Sequence, residues 1–332
     1  METHNAKNIT EFILIGFPTR PELQHVLFAV FLIIYILTVM ENLVIIITIK
    51  CNVKLHKPMY YLLASLSFLE IWYVTVTVPN LLNNFLTENN KISFFACMLQ
   101  LYIFISLACT ECVLLAAMAF DRYIAICFPL LYPVIMNNTF CLQLTIGTWV
   151  LGFSTALIKA IFIFRLNFCG PNVINHFFCD ISPVLNLACT DMSFTELVDF
   201  ILAMVIIMIP LVMIIITYIC ILWAVVTIPN NMGRQKAFST CASHLTVVII
   251  FYTATLFIYA RPKRASPYNR NKLVTLLYSI LTPFLNPIIY CLRNEEVKQT
   301  IKKSLSVIVT ISDKKRRSGH LHMLQNTCSY SA

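Results

Sequence analysis

Seven stretches of predominantly apolar residues recur along the chain, running roughly His25–Ile49, Pro58–Asn80, Phe94–Ala125, Cys141–Ile163, Leu197–Val226, Ala237–Ala260 and Lys272–Leu292. A bilayer core about 30 Å thick is crossed by about 20 apolar residues in a helix, which satisfies its own backbone hydrogen bonds where water is absent. Composition agrees: 59% of the residues are hydrophobic and 12% charged, against about 25% charged in an ordinary soluble domain. The expected fold is therefore an all-α membrane protein, a seven-transmembrane helix bundle over residues 25–292. Residues 1–24 form a polar segment before it and residues 293–332 a tail after it, and no second soluble domain is expected.

Orientation needs separate arguments. The first 24 residues lack the basic start and short apolar core of a cleavable signal peptide, so the first span is expected to serve as the insertion signal. Lys and Arg are nearly balanced between the two sides and decide little. Asn8-Ile9-Thr10 is an N-glycosylation acceptor, usable only if the N-terminal segment faces the lumen. On that orientation the second sequon, at Asn137, is silent. Cys97, Cys169, Cys179 and Cys189 all fall on the N-terminal side, where an oxidising compartment suits two disulfides. Four cysteines allow three pairings. The N-terminus is thus expected outside the cell and the C-terminus in the cytoplasm.

In lipid the polar residues carry the information, because each is costly unless paired or lining a cavity. Glu70 lies 12 residues after Pro58 and Glu111 lies 11 before Arg122. On antiparallel helices rising about 1.5 Å per residue this sets the two carboxylates at nearly equal depth, about 18 and 16 Å from the cytosolic ends. Two such acids are expected to share a proton or hold a sodium ion, with Asn42 and Asn286 as hydrogen-bond partners in the same layer. Pro287, next to Asn286, removes a backbone donor and marks a hinge in the seventh span. Asp121 and Arg122 end the third span as an acid and a base that can be held together in one state and released in another. Glu41 has no evident partner. His56, His176 and His244 are scattered in depth without metal-like spacing, which argues against an enzyme, and the absence of internal repeats argues against a transporter. Neither a nucleic-acid partner nor a resident cofactor beyond that ion or proton is expected.

Five motifs then carry a resemblance. "MAFDRYIAIC" (Met118–Cys127) resembles the end of the third helix of rhodopsin-like G-protein-coupled receptors in their odorant-receptor form. "LHKPMYYLLASLSFLE" (Leu55–Glu70), "KAFSTCASHLTVV" (Lys236–Val248), "PFLNPIIYCLRN" (Pro283–Asn294) and the three-cysteine loop Asn167–Asp191 are similar to the same family in the same order. The chain departs from the family pattern at Glu41, where Gly is usual, and at Phe128 and Leu131, where His and Arg are usual and basic character is lost from a loop that resembles the G-protein contact.

The resemblance implies a Cys97–Cys179 bridge and a Cys169–Cys189 bridge, with Cys97–Cys189 the competing choice. It implies a ligand pocket in the outer half of the bundle, lined by Phe104, Ile105, Ala108, Cys109, Leu202, Ile206, Tyr252, Thr255, Leu256, Tyr259 and Ser279. Receptors for biogenic amines carry an aspartate where this chain has Phe104, so the implied ligand is a small, neutral, hydrophobic volatile; Lys159 and Arg261 near the mouth keep a carboxylic acid as a second class. The implied partner is a heterotrimeric G protein of the stimulatory olfactory type, with cyclic AMP as the output. The implied switch comprises Asp121, Arg122, Tyr123, Tyr218, Asn286, Pro287 and Tyr290. A short amphipathic helix over Glu295–Val307 is implied after the seventh span, and the basic run Lys314–Arg317 is a candidate contact with anionic membrane lipid.

Overall fold

The structure is a computed structural model and describes residues 9–17, 20–87, 90–169, 172–227, 231–259, 268–293, 297–300 and 302. Its elements in order are β1 (Glu11–Leu14), α1 (Pro21–Cys51), α2 (Pro58–Leu86), β2 (Asn90–Ser93), α3 (Phe94–Cys127), α4 (Tyr132–Ile135), α5 (Asn138–Phe164), β3 (Val173–Ile174), α6 (Ile181–Leu185), α7 (Ser193–Val226), α8 (Asn231–Tyr259), α9 (Tyr268–Leu276) and α10 (Thr282–Arg293). Seven spans are long and apolar enough to cross a membrane, the seventh covering Lys272–Tyr290 across α9 and α10. Past α10, residues 297–300 are again helical, with Val297 fully buried.

Local chemistry starts and stops the helices. Pro21 and Pro58 occupy first-turn positions of α1 and α2, where their missing N–H costs nothing. Ser93 caps α3 by accepting from the Ala96 amide at 3.2 Å, and Asn137 caps α5 by accepting from Phe140 at 2.8 Å. The asparagine of the second sequon is thus a helix cap.

The helices are sorted by what they bury. In α3, 78% of the apolar window is buried, against 17% in α1, so α3 is the central post and α1 a peripheral one. The peripheral helix inverts a soluble helix: Val30, Ile33, Met40 and Ile47 point outward, while Thr38, Asn42 and Thr48 are buried. α3 crosses α5 so closely at Gly152 that a Cβ there would lie 2.6 Å from the Thr110 amide nitrogen and 2.8 Å from its Cα. Small residues at such crossings let membrane helices approach in the absence of a hydrophobic drive.

One face carries structure that no apolar run announced. β1 pairs antiparallel with β2 (Glu11 opposite Ser93, Leu14 opposite Asn90) and parallel with β3 (Ile13 opposite Val173), giving a sheet of order β2-β1-β3. Alternation turns Phe12 and Leu14 into the bundle, and Phe12 meets the rings of Phe94 and Phe168 at 5.7 and 6.3 Å. Cys97 is bonded to Cys179 and Cys169 to Cys189, with Cα separations of 5.5 and 5.7 Å. Gln100 supports the first bridge, donating to the Val76 carbonyl at 2.6 Å and accepting from the Cys179 amide at 3.1 Å. Lys272 anchors the N-terminal segment: its buried ammonium donates to the carbonyls of Gly16 (2.9 Å) and Ile15 (3.2 Å) and to Asn175 Oδ1 (2.5 Å).

The seventh span is not a uniform helix. Between α9 and α10, Leu277–Leu281 forms a π-helical turn in which the Thr282 amide donates to the Leu277 carbonyl. Pro283 supplies a reason, since its ring would clash with the carbonyl of residue 279 in a regular α-helix and the wider turn moves that carbonyl away. The helix then continues through Pro287 to Arg293.

Candidate functional site

A cavity with about 350 Å³ of space unfilled by atoms, its mouth included, opens between five helices. Ile105, Ala108, Cys109 and Cys112 of α3 form one wall, Lys159 of α5 and Ile181 of α6 a second, and Ala203, Ile206 and Ile207 of α7 with Thr255 of α8 the remainder. The helical period explains the α3 wall, because residues 105, 108, 109 and 112 stand at i, i+3, i+4 and i+7 and so share one helix face.

Of the pocket residues expected from the sequence, Ile105, Ala108, Cys109, Ile206 and Thr255 border this cavity. Phe104 lies elsewhere, fully buried and packed against Phe178 at 4.5 Å and Tyr73 at 5.1 Å, beneath the loop that Cys179 secures. Tyr252 reaches α3, where its hydroxyl donates to the Cys112 carbonyl at 3.0 Å. Ser279 is fully buried in the π-helical turn. Leu202 and Leu256 are partly buried beside the cavity-lining positions of α7 and α8. The Tyr259 side chain and residue Arg261 lie outside the described residues, as do Asn8 and Lys314–Arg317.

Lys159 is not an open cation at a mouth. It is buried and paired with Asp199 of α7, Nζ to Oδ1 at 3.1 Å, with side-chain exposures of 3% and 9%. Sequence reasoning passed over Asp199, although an acid two residues inside an apolar run was signal enough.

A second polar group lies deeper. Glu70 accepts a hydrogen bond from Asn286 Nδ2 at 2.5 Å, joining α2 to α10. Asn42 donates to the carbonyls of Thr38 (3.0 Å) and Pro283 (3.4 Å), joining α1 to α10. Glu111 is buried in α3. Among the described residues no three His, Cys, Asp or Glu side chains converge as a metal site; Glu70, Glu111, Asn42 and Asn286 are the groups that could hold a monovalent cation.

At the opposite end from the disulfides, Asp121 and Arg122 are buried. The Asp121 carboxylate accepts from the Tyr132 hydroxyl of α4 at 2.8 Å, and burial together with that neighbouring charge holds the Tyr132 phenol above its usual range. Tyr218 of α7 is within 2.7 Å of His244 Nδ1 of α8, and their rings stack at 5.8 Å. Tyr123 packs edge-on against Phe128 at 5.6 Å. Tyr290 is buried, and its hydroxyl has no hydrogen-bond partner among the described residues. Tyr132 and His244 were not among the switch residues expected from the sequence.

Comparison with known proteins supplies the family. The sequence profile described as "Olfactory receptor" matches residues 31–307. Olfactory receptor 6B1 of Homo sapiens is 59% identical over 303 residues, covering 91% of this chain and 97% of that protein. Olfactory receptor 6B9 of Mus musculus is 58% identical over 302 residues, covering 91% and 96%, and Olfactory receptor 226 of Rattus norvegicus is 55% identical over 310 residues, covering 92% and 95%. With this profile, these relatives and seven membrane-spanning helices, the chain belongs to the olfactory receptor family of multi-pass plasma-membrane proteins.

Proposed function

We propose that the chain binds small, predominantly hydrophobic volatile odorants in the cavity between α3, α5, α7 and α8, and that binding activates a stimulatory, olfactory-type heterotrimeric G protein and raises cyclic AMP. The observation that carries this reading is the lining itself: six of its ten residues are Ile or Ala, so burial of apolar surface supplies most of the affinity. The disulfide face is the outer one in this reading, with the N-terminal segment outside the cell and Asn8 glycosylated. Arg122 and the ends of α7 and α8 form the cytoplasmic face that receives the G protein.

Signalling follows as a population shift, since a ligand changes the balance of two conformations only through its different affinities for them. Tyr252 links the two ends. Its ring belongs to the helix that also carries Thr255 of the cavity and His244 of the opposite end, and its hydroxyl is fixed to the α3 backbone. A ligand that separates α8 from α3 at Thr255 would strain that bond and the Tyr218–His244 contact together. Glu70, with Asn42, Asn286 and Glu111, holds a sodium ion or shared proton that favours the resting arrangement.

The test is cyclic AMP in cells expressing the chain with an olfactory G protein, challenged with a panel of volatiles. A concentration-dependent response that disappears in Arg122→Ala at equal surface expression supports the reading. Wild-type receptor at the surface and silent to the whole panel refutes it.

A further inference from the structure

We propose that the segment joining α3 to α5, residues 128–136, is a membrane-surface anchor whose outward apolar face lies among the acyl chains at the edge of the leaflet on the Arg122 side. The occupant of that face is lipid, held by apolar contact and not by headgroup charge. The inference is independent of the cavity and of its ligand.

The sequence sets this segment apart. From residue 123 to residue 158 the chain has no Asp, Glu, Lys, Arg or His. The loop between α1 and α2, at the same end of the bundle, has Lys54, His56 and Lys57 within residues 52–57. Charged groups beside a span keep its flank in water, because taking them into the bilayer is costly. The α1–α2 loop has such groups and the α3–α5 segment has none.

The structure then turns an apolar face outward. Tyr132 and Met136 stand at i and i+4 and face inward: the Tyr132 hydroxyl donates to Asp121 at 2.8 Å, and Met136 is buried. At the start of α5 the Cys141 thiol donates to the Pro58 carbonyl of α2 at 3.5 Å, so the segment is seated against the bundle. Leu131 and Val134, at i and i+3, take the other face and are 51% and 70% exposed. Phe128 and Leu130 extend it, at 42% and 92%.

The backbone suits lipid as well. A segment out of water must pair its own amides. In residues 128–136 the amides of Phe128, Leu131, Tyr132, Val134, Ile135 and Met136 all donate to backbone carbonyls at 2.9–3.0 Å. Pro129 and Pro133 have no N–H to satisfy, and both are exposed. Asn137, Asn138 and Thr139, exposed at the start of α5, set the depth at the headgroup boundary and not in the hydrocarbon core. Apolar faces of interfacial helices sit about 5–10 Å into that boundary. A G protein is the rival occupant. A protein interface has an apolar centre inside a polar rim, whereas this segment brings no charge to form one.

The experiment uses the full-length receptor in phosphatidylcholine nanodiscs without a G protein. Leu130→Trp adds a fluorophore to the face, and its emission is the difference from wild type, which has three tryptophans. Lipid brominated on the acyl chains near the glycerol quenches tryptophan by contact. Ile146→Trp, on the exposed apolar face of α5, supplies the lipid reference, and Lys54→Trp, in the α1–α2 loop, the aqueous one. The added emission at residue 130 should lose most of its intensity to brominated lipid, as at residue 146, and should do so equally with phosphatidylcholine alone and with phosphatidylserine added. Tryptophan itself favours the interface, so a further variant tests the native face. Leu130→Trp combined with Leu131→Arg and Val134→Arg, both at exposed positions, should return the quenching to the Lys54 level. Bromine quenching of Leu130→Trp nearer the Lys54 reference overturns the anchor, and shielding that then appears on adding a heterotrimeric G protein assigns the face to that partner. Quenching that needs phosphatidylserine, or that survives the two arginines, overturns it as well.

Discussion

The Tyr218 hydroxyl meets His244 Nδ1 at 2.7 Å and joins α7 to α8 at the end of the bundle that holds Arg122. Both side chains are buried and their rings are stacked, so the contact combines a hydrogen bond with ring packing. His244→Phe keeps a ring and removes the nitrogen. Loss of a bond worth ~0.5–1.5 kcal/mol should loosen α8 and raise ligand-independent cyclic AMP by roughly two- to tenfold at equal surface expression. Basal signalling at or below wild type would show that the contact does not hold the resting arrangement.

The α3–α5 crossing makes a sharper structural prediction. Gly152→Ala would place a methyl group within 2.6 Å of the Thr110 backbone, and that backbone lies inside the central helix and cannot yield cheaply. The expected cost is ~1–3 kcal/mol, the usual range for overpacking, seen as a lowered melting temperature in detergent. Gly147→Ala on the same helix is the control, because nothing lies within 4 Å of the added carbon. Equal melting temperatures for the two variants would contradict the close crossing.

Lys272 offers a third test, now of the sheet. Lys272→Met keeps the aliphatic stem and removes the donors to Ile15, Gly16 and Asn175. The neighbouring ladder bonds, from the Ile13 amide to Asn172 and from the Ile15 amide to Ile174, should then open more often. Hydrogen exchange at Ile13 and Ile15 is expected to accelerate about tenfold or more, with α3 unchanged. Unchanged exchange at both amides would mean that Phe12 and Leu14 hold the strand by themselves.

These contacts differ in how far they could be read from the chain. The spans were legible because membrane crossing is a requirement on length and apolarity within one segment, which is why Pro58, Phe94 and Val226 mark helix ends in both readings. The sheet was not, since β1 is four residues long and takes its partners from residues 90–93 and 173–174. A short strand made in this way leaves no periodic signature. The pocket residues came from the family resemblance and not from any pattern in the residues themselves: Ile105, Ala108 and Cys109 border the cavity, Phe104 does not, and Lys159, expected only near the mouth, is in the lining. Whether one of those side chains reaches open space depends on Phe178 in one case and Asp199 in the other, residues on separate elements. Pro283 was visible in the sequence, yet its effect, a widened turn at Leu277–Leu281, depends on how the carbonyl before it is accommodated.

His176 gives the pH prediction. It lies in the loop between α5 and α6, buried, stacked on Phe177 at 4.6 Å and edge-on to Phe178 at 4.7 Å. Burial, and then the positive charge of Lys272, push its pKa down from 6.5 to about 3. In the unfolded chain the imidazole takes a proton near its ordinary value, so below about pH 6.5 the unfolded state binds more protons than the native state. The stabilising contribution is therefore complete above about pH 6.5 and declines as pH falls toward 3. Between pH 7.5 and 4.5 the loss should approach ~2–3 kcal/mol, visible as a falling melting temperature of the detergent-solubilised protein. His176→Phe removes the titrating group while keeping a ring between Phe177 and Phe178, and its melting temperature should fall less over the same interval. Parallel curves for wild type and variant would place the acid sensitivity elsewhere.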